Sequence, residues 1–472
     1  MDIYLFLQIL TIAIGFYMAW NIGANDVSNA MGTSVGSKAL TLKQAVLLAA
    51  VLEFAGALFV GSHVSNTIQK GIISPSVFST APIIFALGML GALFATGLWL
   101  HIASFFRLPV STTHAIVGAI IGFGAVIGGI HAVHWDMVFS IVLSWIITPL
   151  ISGILSYFIF SLLQKKIFYA LNPIDATKRL VPFFVFFAFV FFTLSLIFEG
   201  LGKLHLDLPF SHAFFIALLV GAIACTVSII LLKKSSFSTP IVSFPSSFQH
   251  IISLEKATKH MQRLSLSSTG EPQEKSEKIL REMQHFLHDM KKEVHLKKQT
   301  TQYTEVEKIF ISLQIISAAL VAFAHGANDV ANAVGPVGAV LQVLKTHTII
   351  DISPLSIWVL MLGGLGIVLG LATWGWRVIE TIGKKITELT PTRGFSAEFA
   401  AAMTILLASR LGMPISTTHA LVGGVMGVGL ARGIQALNLK TLRDIVFTWV
   451  ITIPSCAVLS IIIFYFLKTI FI

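Results

Sequence analysis

Two copies of a short polar phrase lie inside apolar stretches of this 472-residue chain, and their residue types suit ion chemistry. GANDVSNAMG covers residues 23–32 and GANDVANAVG covers residues 326–335; we name these the GAND motifs. Glycine and alanine permit an unwound backbone and close approach, and helix packing alone would explain these small residues but not the acids. Asparagine, aspartate and freed carbonyl groups supply hard oxygen atoms that suit a cation such as sodium. An aspartate inside a membrane segment is costly and functional by default. We therefore predict a cation site at Asp26 and Asp329.

A second phrase, PVSTTH at residues 109–114, returns as PISTTH at residues 414–419, and we name these the STTH motifs. Proline disfavours helix in the residue before it, and serine and threonine are good N-caps, so each copy predicts a break and a new helix start. A helix start exposes unpaired N–H groups and a positive dipole end, which together bind anions. Further donors are the hydroxyl groups of Ser111, Thr112, Thr113, Ser416, Thr417 and Thr418. Simple capping would explain one copy, whereas two copies at equivalent positions favour an anion site.

Two histidines and two glutamates are further candidates that the sequence leaves open. His114 and His419 close the STTH motifs, and a lone histidine is more often a structural group than a ligand. Neither has metal-ligand spacing to other His, Cys or carboxylate residues, so we predict no transition metal. Glu53 and Glu398 are the other carboxylates well inside apolar segments. They do not match each other in the repeat, and each fits a functional acid or a helix–helix hydrogen-bonding group.

The composition indicates a polytopic helical membrane protein. Hydrophobic residues make up 55% of the chain and charged residues 11%, against about 25% charged in soluble domains. The net charge of +10 does not indicate nucleic-acid binding, because 13 of the 32 Lys and Arg lie in segment 233–308 and most others flank apolar runs. Neither a disulfide framework nor a cleaved signal peptide is indicated, since Cys225 and Cys456 lie in apolar runs and the N-terminus lacks a basic region.

Twelve apolar segments and their charged flanks predict the topology. The segments are about 4–30, 45–66, 81–106, 112–130, 137–163, 181–199, 209–232, 309–333, 355–376, 396–409, 415–431 and 445–467. Turns after odd-numbered segments carry 27 Lys and Arg and the other turns carry 5, and the ratio is still 14 to 5 without the long loop. Because Lys and Arg concentrate on the cytoplasmic side, we expect both termini outside the cell and loop 233–308 in the cytoplasm. The membrane is a plasma membrane or a bacterial inner membrane.

The paired motifs predict an internal repeat with inverted topology. Five segments form each copy, and Trp145 corresponds to Trp449. Seven segments precede the second copy, so it starts on the opposite face of the membrane, as in many secondary transporters. The predicted fold is all-α, with broken helices or re-entrant hairpins at the STTH motifs. The predicted units are a first repeat (1–166), a connecting helix pair (167–232), a cytoplasmic loop (233–308) and a second repeat (309–472).

The loop 233–308 contains a stretch with helical periodicity. Ile279, Met283, Phe286 and Met290 recur at helical spacing. A solvated amphipathic helix and a regulatory docking helix both fit this pattern.

At the doubled motifs the chain resembles the inorganic phosphate transporter (PiT) family of sodium- or proton-coupled phosphate symporters. The resemblance rests on both GAND and both STTH motifs, and it covers about residues 1–166 and 305–472. It implies phosphate held between the two halves and cations bound at the GAND asparagines and neighbouring carbonyl groups. The implied phosphate residues are Asp26, Ser111, Thr112, Thr113, Asp329, Ser416, Thr417 and Thr418. The implied cation residues are Asn25 and Asn328 with Asp26 and Asp329, and accessory candidates are Asn29, Asn332, Glu53, Glu398, His114 and His419.

The function expected from motifs and resemblance is cation-coupled phosphate symport by alternating access, with sodium placed ahead of the proton as coupling ion. The resemblance also implies a homodimer, and no organic cofactor is expected. A sulfate permease of the same family and an uncoupled anion channel are the alternatives. A membrane enzyme is disfavoured because the sequence shows no nucleophile elbow, metal-ligand cluster or nucleotide loop. The partners are thus inorganic phosphate, the cation, the lipid bilayer and a second copy, without nucleic acid.

Overall fold

The computed structural model describes residues 3–106, 108–200, 208–234, 246–296, 302–349, 355–376, 379 and 388–472. Within these ranges the chain is helical apart from its connecting turns and one isolated bridge between Ile73 and Val133. The predicted all-α class is confirmed.

Nine α-helices are described in the first half and the connecting pair. They are α1 (Ile3–Asn25), α2 (Val27–Gly36), α3 (Leu42–Phe59), α4 (Ser62–Lys70), α5 (Pro82–Phe105), α6 (Thr112–Ile127), α7 (Trp135–Leu163), α8 (Pro173–Ser195) and α9 (Phe210–Lys234). The loop and the second half follow with α10 (Ser246–Ser267), α11 (Glu271–Leu296), α12 (Gln302–Thr346), α13 (Ile357–Gly370), α14 (Pro391–Arg410), α15 (Thr417–Arg432) and α16 (Leu439–Phe471). Each of the twelve predicted apolar segments falls on helix.

Nine helical stretches of the described residues are long and apolar enough to cross a membrane, which agrees with a multi-pass protein. They are Ile3–Gly36, Leu42–Phe59, Pro82–Phe105, Trp135–Phe168, Pro173–Phe198, Phe210–Lys234, Gln302–Thr346, Ile357–Gly375 and Leu439–Phe471. The STTH helices α6 and α15 have 16 residues each, or about 24 Å of helix, which is less than the ~30 Å hydrocarbon core. Whether they cross or re-enter the membrane stays a prediction, as does the total of twelve spans.

The predicted break before each STTH helix is confirmed. Helix α5 ends at Phe105 and α6 starts at Thr112, with Ser111 in extended conformation as N-cap. The Ser111 hydroxyl oxygen accepts a hydrogen bond from His114 N at 3.3 Å. In the second half, Ser416 caps α15 in the same way and accepts from His419 N at 3.2 Å.

The GAND motifs are less unwound than their composition suggested. One turn residue, Asp26, separates α1 from α2, whereas α12 runs through the second motif without a break. The glycines instead permit close helix contact, since a Cβ atom at Gly326 would lie 2.2 Å from Glu53 O and one at Gly23 would lie 1.9 Å from Ile367 O. The expectation of carbonyl groups freed by unwinding is therefore wrong for the second motif, because its small residues pack α12 against α3.

The two halves interlock rather than lie side by side. Helix α6 packs against α16, and α15 packs against α7, so each STTH helix rests on the last helix of the other half. In the same way α3 packs on α12, and α13 packs on α1. This exchange brings the two copies of each motif to a common interior. The division into a first and a second repeat stays a prediction.

The described part of segment 233–308 contains two helices of its own, α10 and α11. Helix α11 confirms the helix predicted from the spacing of Ile279 and Phe286, and it packs against α10, which was not predicted. Helix α10 reaches the rest of the protein through Lys256, whose Nζ lies 4.2 Å from the centre of the Tyr169 ring.

Candidate functional site

The two GAND aspartates meet in the interior around one histidine. One ligand atom from each of Asp26, His325 and Asp329 lies within 4.8 Å of the others, and all three side chains are buried. His325 Nε2 is 2.8 Å from Asp329 Oδ2, and His325 Nδ1 is 2.6 Å from Glu53 Oε2. The predicted convergence of Asp26 and Asp329 therefore occurs, and Glu53 joins it through His325.

Each aspartate also pairs with a threonine of an STTH motif from its own half. Thr112 Oγ1 donates to Asp26 Oδ2, and Thr417 Oγ1 donates to Asp329 Oδ2 at 2.6 Å. The second oxygen of each aspartate, Oδ1, is buried and has no hydrogen-bond partner among the described residues. Because a buried carboxylate oxygen without a partner is costly, these two atoms are the natural contacts for a ligand.

The last threonines of the STTH motifs join the two helix starts to each other. Thr113 Oγ1 donates to Ile415 O at 2.7 Å, and Thr418 Oγ1 donates to Val110 O at 3.3 Å. Asn332 Nδ2 donates to Thr113 Oγ1 at 3.3 Å, which places this accessory candidate beside the junction. The short helices α6 and α15 thus meet at their N-terminal ends, which carry unpaired N–H groups and the positive ends of the helix dipoles.

The GAND asparagines hold the chain that leads into the STTH helices. Asn25 Nδ2 donates to Ser104 Oγ at 3.0 Å and to Leu108 O at 3.1 Å. Asn328 Nδ2 donates in the same way to Ser409 Oγ at 3.0 Å and to Met413 O at 3.2 Å. The Asn25 Oδ1 atom accepts from Val110 N at 3.2 Å. The Asn328 Oδ1 atom is buried without a partner among the described residues. A direct cation contact therefore fits Asn328 better than Asn25. The side chain of Asn29 lies outside the described part of the chain.

His114 and His419 lie at the contact between the halves. His114 Nδ1 is 3.3 Å from Trp449 O, His419 Nδ1 is 3.0 Å from Trp145 O, and the two imidazole rings meet edge to face at 4.6 Å. These contacts support the structural interpretation of both histidines. They hold each STTH helix against the last helix of the other half.

Glu398 forms a separate, fully buried cluster of polar groups. Its Oε1 atom accepts from Thr33 Oγ1, from Ser34 Oγ at 2.6 Å and from Gln314 Nε2 at 3.3 Å, while Oε2 accepts from Ser317 Oγ at 2.6 Å. The cluster joins α2, α12 and α14. It fits both interpretations of Glu398, because four donors satisfy a structural carboxylate and the same hydroxyl oxygens are hard ligands for a cation.

His325 is the site residue that sequence reasoning missed. The residue before the first GAND motif is Ile22, so the two copies differ at this position. The glycines that follow make matching close contacts, Gly326 with the backbone of Glu53 and Gly23 with the backbone of Ile367. The positions equivalent to His325 and Glu53 are therefore occupied in the other half by the apolar residues Ile22 and Ile367. A signal was present, since His325 and Asp329 are four residues apart and share one helix face.

Comparison with known proteins identifies the family of the chain. The profile of the "Phosphate transporter family" matches residues 22–460. The Arabidopsis thaliana protein "Inorganic phosphate transporter 2-1, chloroplastic" is 44% identical over 97% of this chain and 71% of its own length. A solved structure, "The sodium-dependent phosphate transporter", superposes with a TM-score of 0.80 at 36% identity, over 98% of this chain and 99% of that one. Because both doubled motifs fall inside these matches, the chain belongs to the phosphate transporter family, whose members are membrane transporters rather than enzymes.

Proposed function

We propose that this protein is a secondary active transporter that carries inorganic phosphate across the cell membrane together with a cation, by alternating access. The observation that carries the proposal is the meeting of Asp26 and Asp329, each held by an STTH threonine at the start of a short helix. This arrangement brings two positive helix ends and two partner-free carboxylate oxygens to one place. An anion and a cation can therefore bind next to each other there.

Phosphate fits this site better than sulfate because two carboxylates lie beside it. Phosphate near neutral pH still carries a proton, and an ionised carboxylate can accept a hydrogen bond from its P–OH group. Sulfate carries no such proton and meets only repulsion from Asp26 and Asp329, which is the kind of unfavourable contact that creates specificity. The sulfate permease remains the alternative within the family.

Sodium is the coupling ion that the site chemistry favours. The partner-free oxygens of Asp26, Asp329 and Asn328 are hard ligands, which suit an alkali cation. A bound cation offsets the negative charge that phosphate meets, so the two ligands strengthen each other's binding. The similar solved structure is named a sodium-dependent phosphate transporter, which supports the same choice. The proton stays the alternative.

The proposed topology places both termini outside and segment 233–308 in the cytoplasm, as the distribution of Lys and Arg predicts. The two halves are then inverted copies that close around the site from opposite sides of the membrane. A homodimer in the cell membrane is proposed from the family resemblance alone.

The test is uptake of radiolabelled phosphate into proteoliposomes with an imposed sodium gradient, pH gradient or neither. We expect phosphate to accumulate above its external concentration when sodium flows inward, and arsenate to compete with it. Uptake that only equilibrates, with or without either gradient, would identify an uncoupled channel. Accumulation driven by the pH gradient alone would assign the proton as coupling ion, and stronger uptake of sulfate would identify a sulfate permease.

A further inference from the structure

A cavity of 620 Å³ opens between α8, α9 and α12, away from the phosphate site. Helix α9 packs on α8, and a gap separates it from α12. One end of this groove lies at Val181 of α8, Leu232 of α9 and Lys308 of α12. The other end lies at Phe189 of α8, Val220 of α9 and Ile316 of α12. Its wall is almost entirely aliphatic and aromatic.

The length of the groove matches one leaflet of a bilayer. Lys308 and Ile316 are eight residues apart on α12, and Leu232 and Val220 are twelve residues apart on α9, so at 1.5 Å per residue the groove is about 12–18 Å long. Half of a ~30 Å hydrocarbon core is about 15 Å. The groove therefore has the length of a lipid chain that enters from one membrane surface.

The two ends of the groove differ in charge. Lys308 lines one end, and Lys233 and Lys234 directly follow Leu232 there. Lys308 Nζ contacts Glu305 at 2.7 Å, yet the lysine side chain stays 56% exposed. The other end, at Phe189, Val220 and Ile316, is apolar. This is the charge distribution that complements a lipid with an anionic headgroup and an apolar tail.

The groove also faces the membrane rather than the protein interior. Ile223, Val227 and Leu231 of α9 line it and are 57%, 47% and 61% exposed. An apolar space of this size without an occupant would forfeit packing contacts along its whole wall. In a bilayer, the acyl chains that surround α9 are the material at hand to fill it.

We propose that this groove is a binding site for an anionic phospholipid, with one acyl chain between α8, α9 and α12 and the phosphodiester at Lys308, Lys233 and Lys234. On the proposed topology this end faces the cytoplasm, where anionic lipids concentrate. The bound lipid fastens the connecting helix pair to the second half. The groove is distinct from the proposed phosphate site, because no GAND or STTH residue lines it.

The test compares two alanines of α9 that differ in the face they occupy. Ala224 lines the groove, whereas Ala222 is exposed and does not line it. The full-length protein and both variants are purified in detergent, titrated with phosphatidylglycerol or phosphatidylcholine, and examined by native mass spectrometry for retained lipid. We expect the parent and Ala222→Trp to retain one phosphatidylglycerol at least tenfold more tightly than phosphatidylcholine. Ala224→Trp fills the groove and is expected to lose this binding at least tenfold.

A headgroup variant and a second groove variant complete the test. Lys308→Gln is expected to weaken phosphatidylglycerol binding about fivefold, equivalent to ~1 kcal/mol per basic residue, and to leave phosphatidylcholine binding unchanged. Ser312→Phe fills the groove from α12 and replaces Ala224→Trp if that variant does not fold. Equal retention of the two lipids by the parent, or parental retention by a folded groove variant, would refute the lipid site. Loss of a dimer in the groove variants, without any change in lipid retention, would show instead that a second copy occupies the groove.

Discussion

Asp26 and Asp329 occupy equivalent positions in the sequence repeat, but we predict that they contribute unequally to the stability of the folded protein. Asp329 contacts His325, and His325 also contacts Glu53, so the three side chains form one buried chain of contacts. Asp26 belongs to the same cluster, but its described hydrogen bond is with Thr112. Replacing each aspartate with asparagine keeps the side-chain shape and removes the charge. The two variants therefore separate a role in the fold from a role in binding.

The expected magnitudes follow from these contacts. Asp329→Asn removes the charge from one partner of a fully buried imidazole–carboxylate contact, and losing one partner of such a pair costs about 3–5 kcal/mol of unfolding free energy. Because His325 keeps its contact with Glu53, we expect the low end, about 3 kcal/mol. Asp26→Asn removes a repulsion from Asp329 and an attraction to His325, both within 4.8 Å, and these two effects oppose each other. Its effect on the unfolding free energy should stay within about 1 kcal/mol.

The assay measures unfolding by denaturant in detergent micelles alongside phosphate and sulfate binding, with and without sodium. Both variants should lose sodium-dependent phosphate affinity, and they should discriminate less against sulfate, because either change removes one carboxylate from the site. Only Asp329→Asn should be strongly destabilised. Equal stability losses would show that the His325 contact has no special weight. If both variants keep parental affinity, selectivity and sodium dependence, the aspartates are structural and the proposed ligand site is wrong.

Three further outcomes are expected. Ser111→Ala and Ser416→Ala should each lower phosphate affinity about ten- to a hundredfold, since a hydrogen bond to a charged group is worth about 1.5–3 kcal/mol. If binding assays show unchanged affinity and only the stability falls, the serines only cap α6 and α15. A cysteine at the exposed Thr269, in a background without Cys225 and Cys456, should resist an impermeant thiol reagent in intact cells and react after lysis, whereas labelling of intact cells would reverse the topology. Replacing residues 255–300 with a flexible linker should leave substantial phosphate uptake in correctly inserted protein, and complete loss at normal membrane abundance would make the loop part of the mechanism.

The local features of this protein were predictable because they depend on neighbouring residues. Each of the twelve predicted apolar runs falls on helix, since a segment that lies in lipid must satisfy its own backbone hydrogen bonds. A proline two residues before a serine predicted the break before α6 and before α15, because proline disfavours helix just before itself and serine caps the next helix start. The helix α11 was visible in the spacing of Ile279 and Phe286 for the same reason. The GAND motifs show the limit of such reasoning, since small residues permit an unwound backbone and a close helix contact equally well.

The residue types of the motifs predict which side chains suit ion binding, and the packing of the helices sets which of these side chains meet. The doubled motifs predicted that Asp26 and Asp329 belong to one site, and packing brought them together. Nothing near Glu53 in the sequence distinguishes it from a structural acid. It joins the site only because Gly326 lets α12 approach α3 closely enough for His325 to reach it. The contact between His325 and Glu53 joins residues 272 positions apart and depends on the packing of whole helices, which cannot be predicted from local residue patterns.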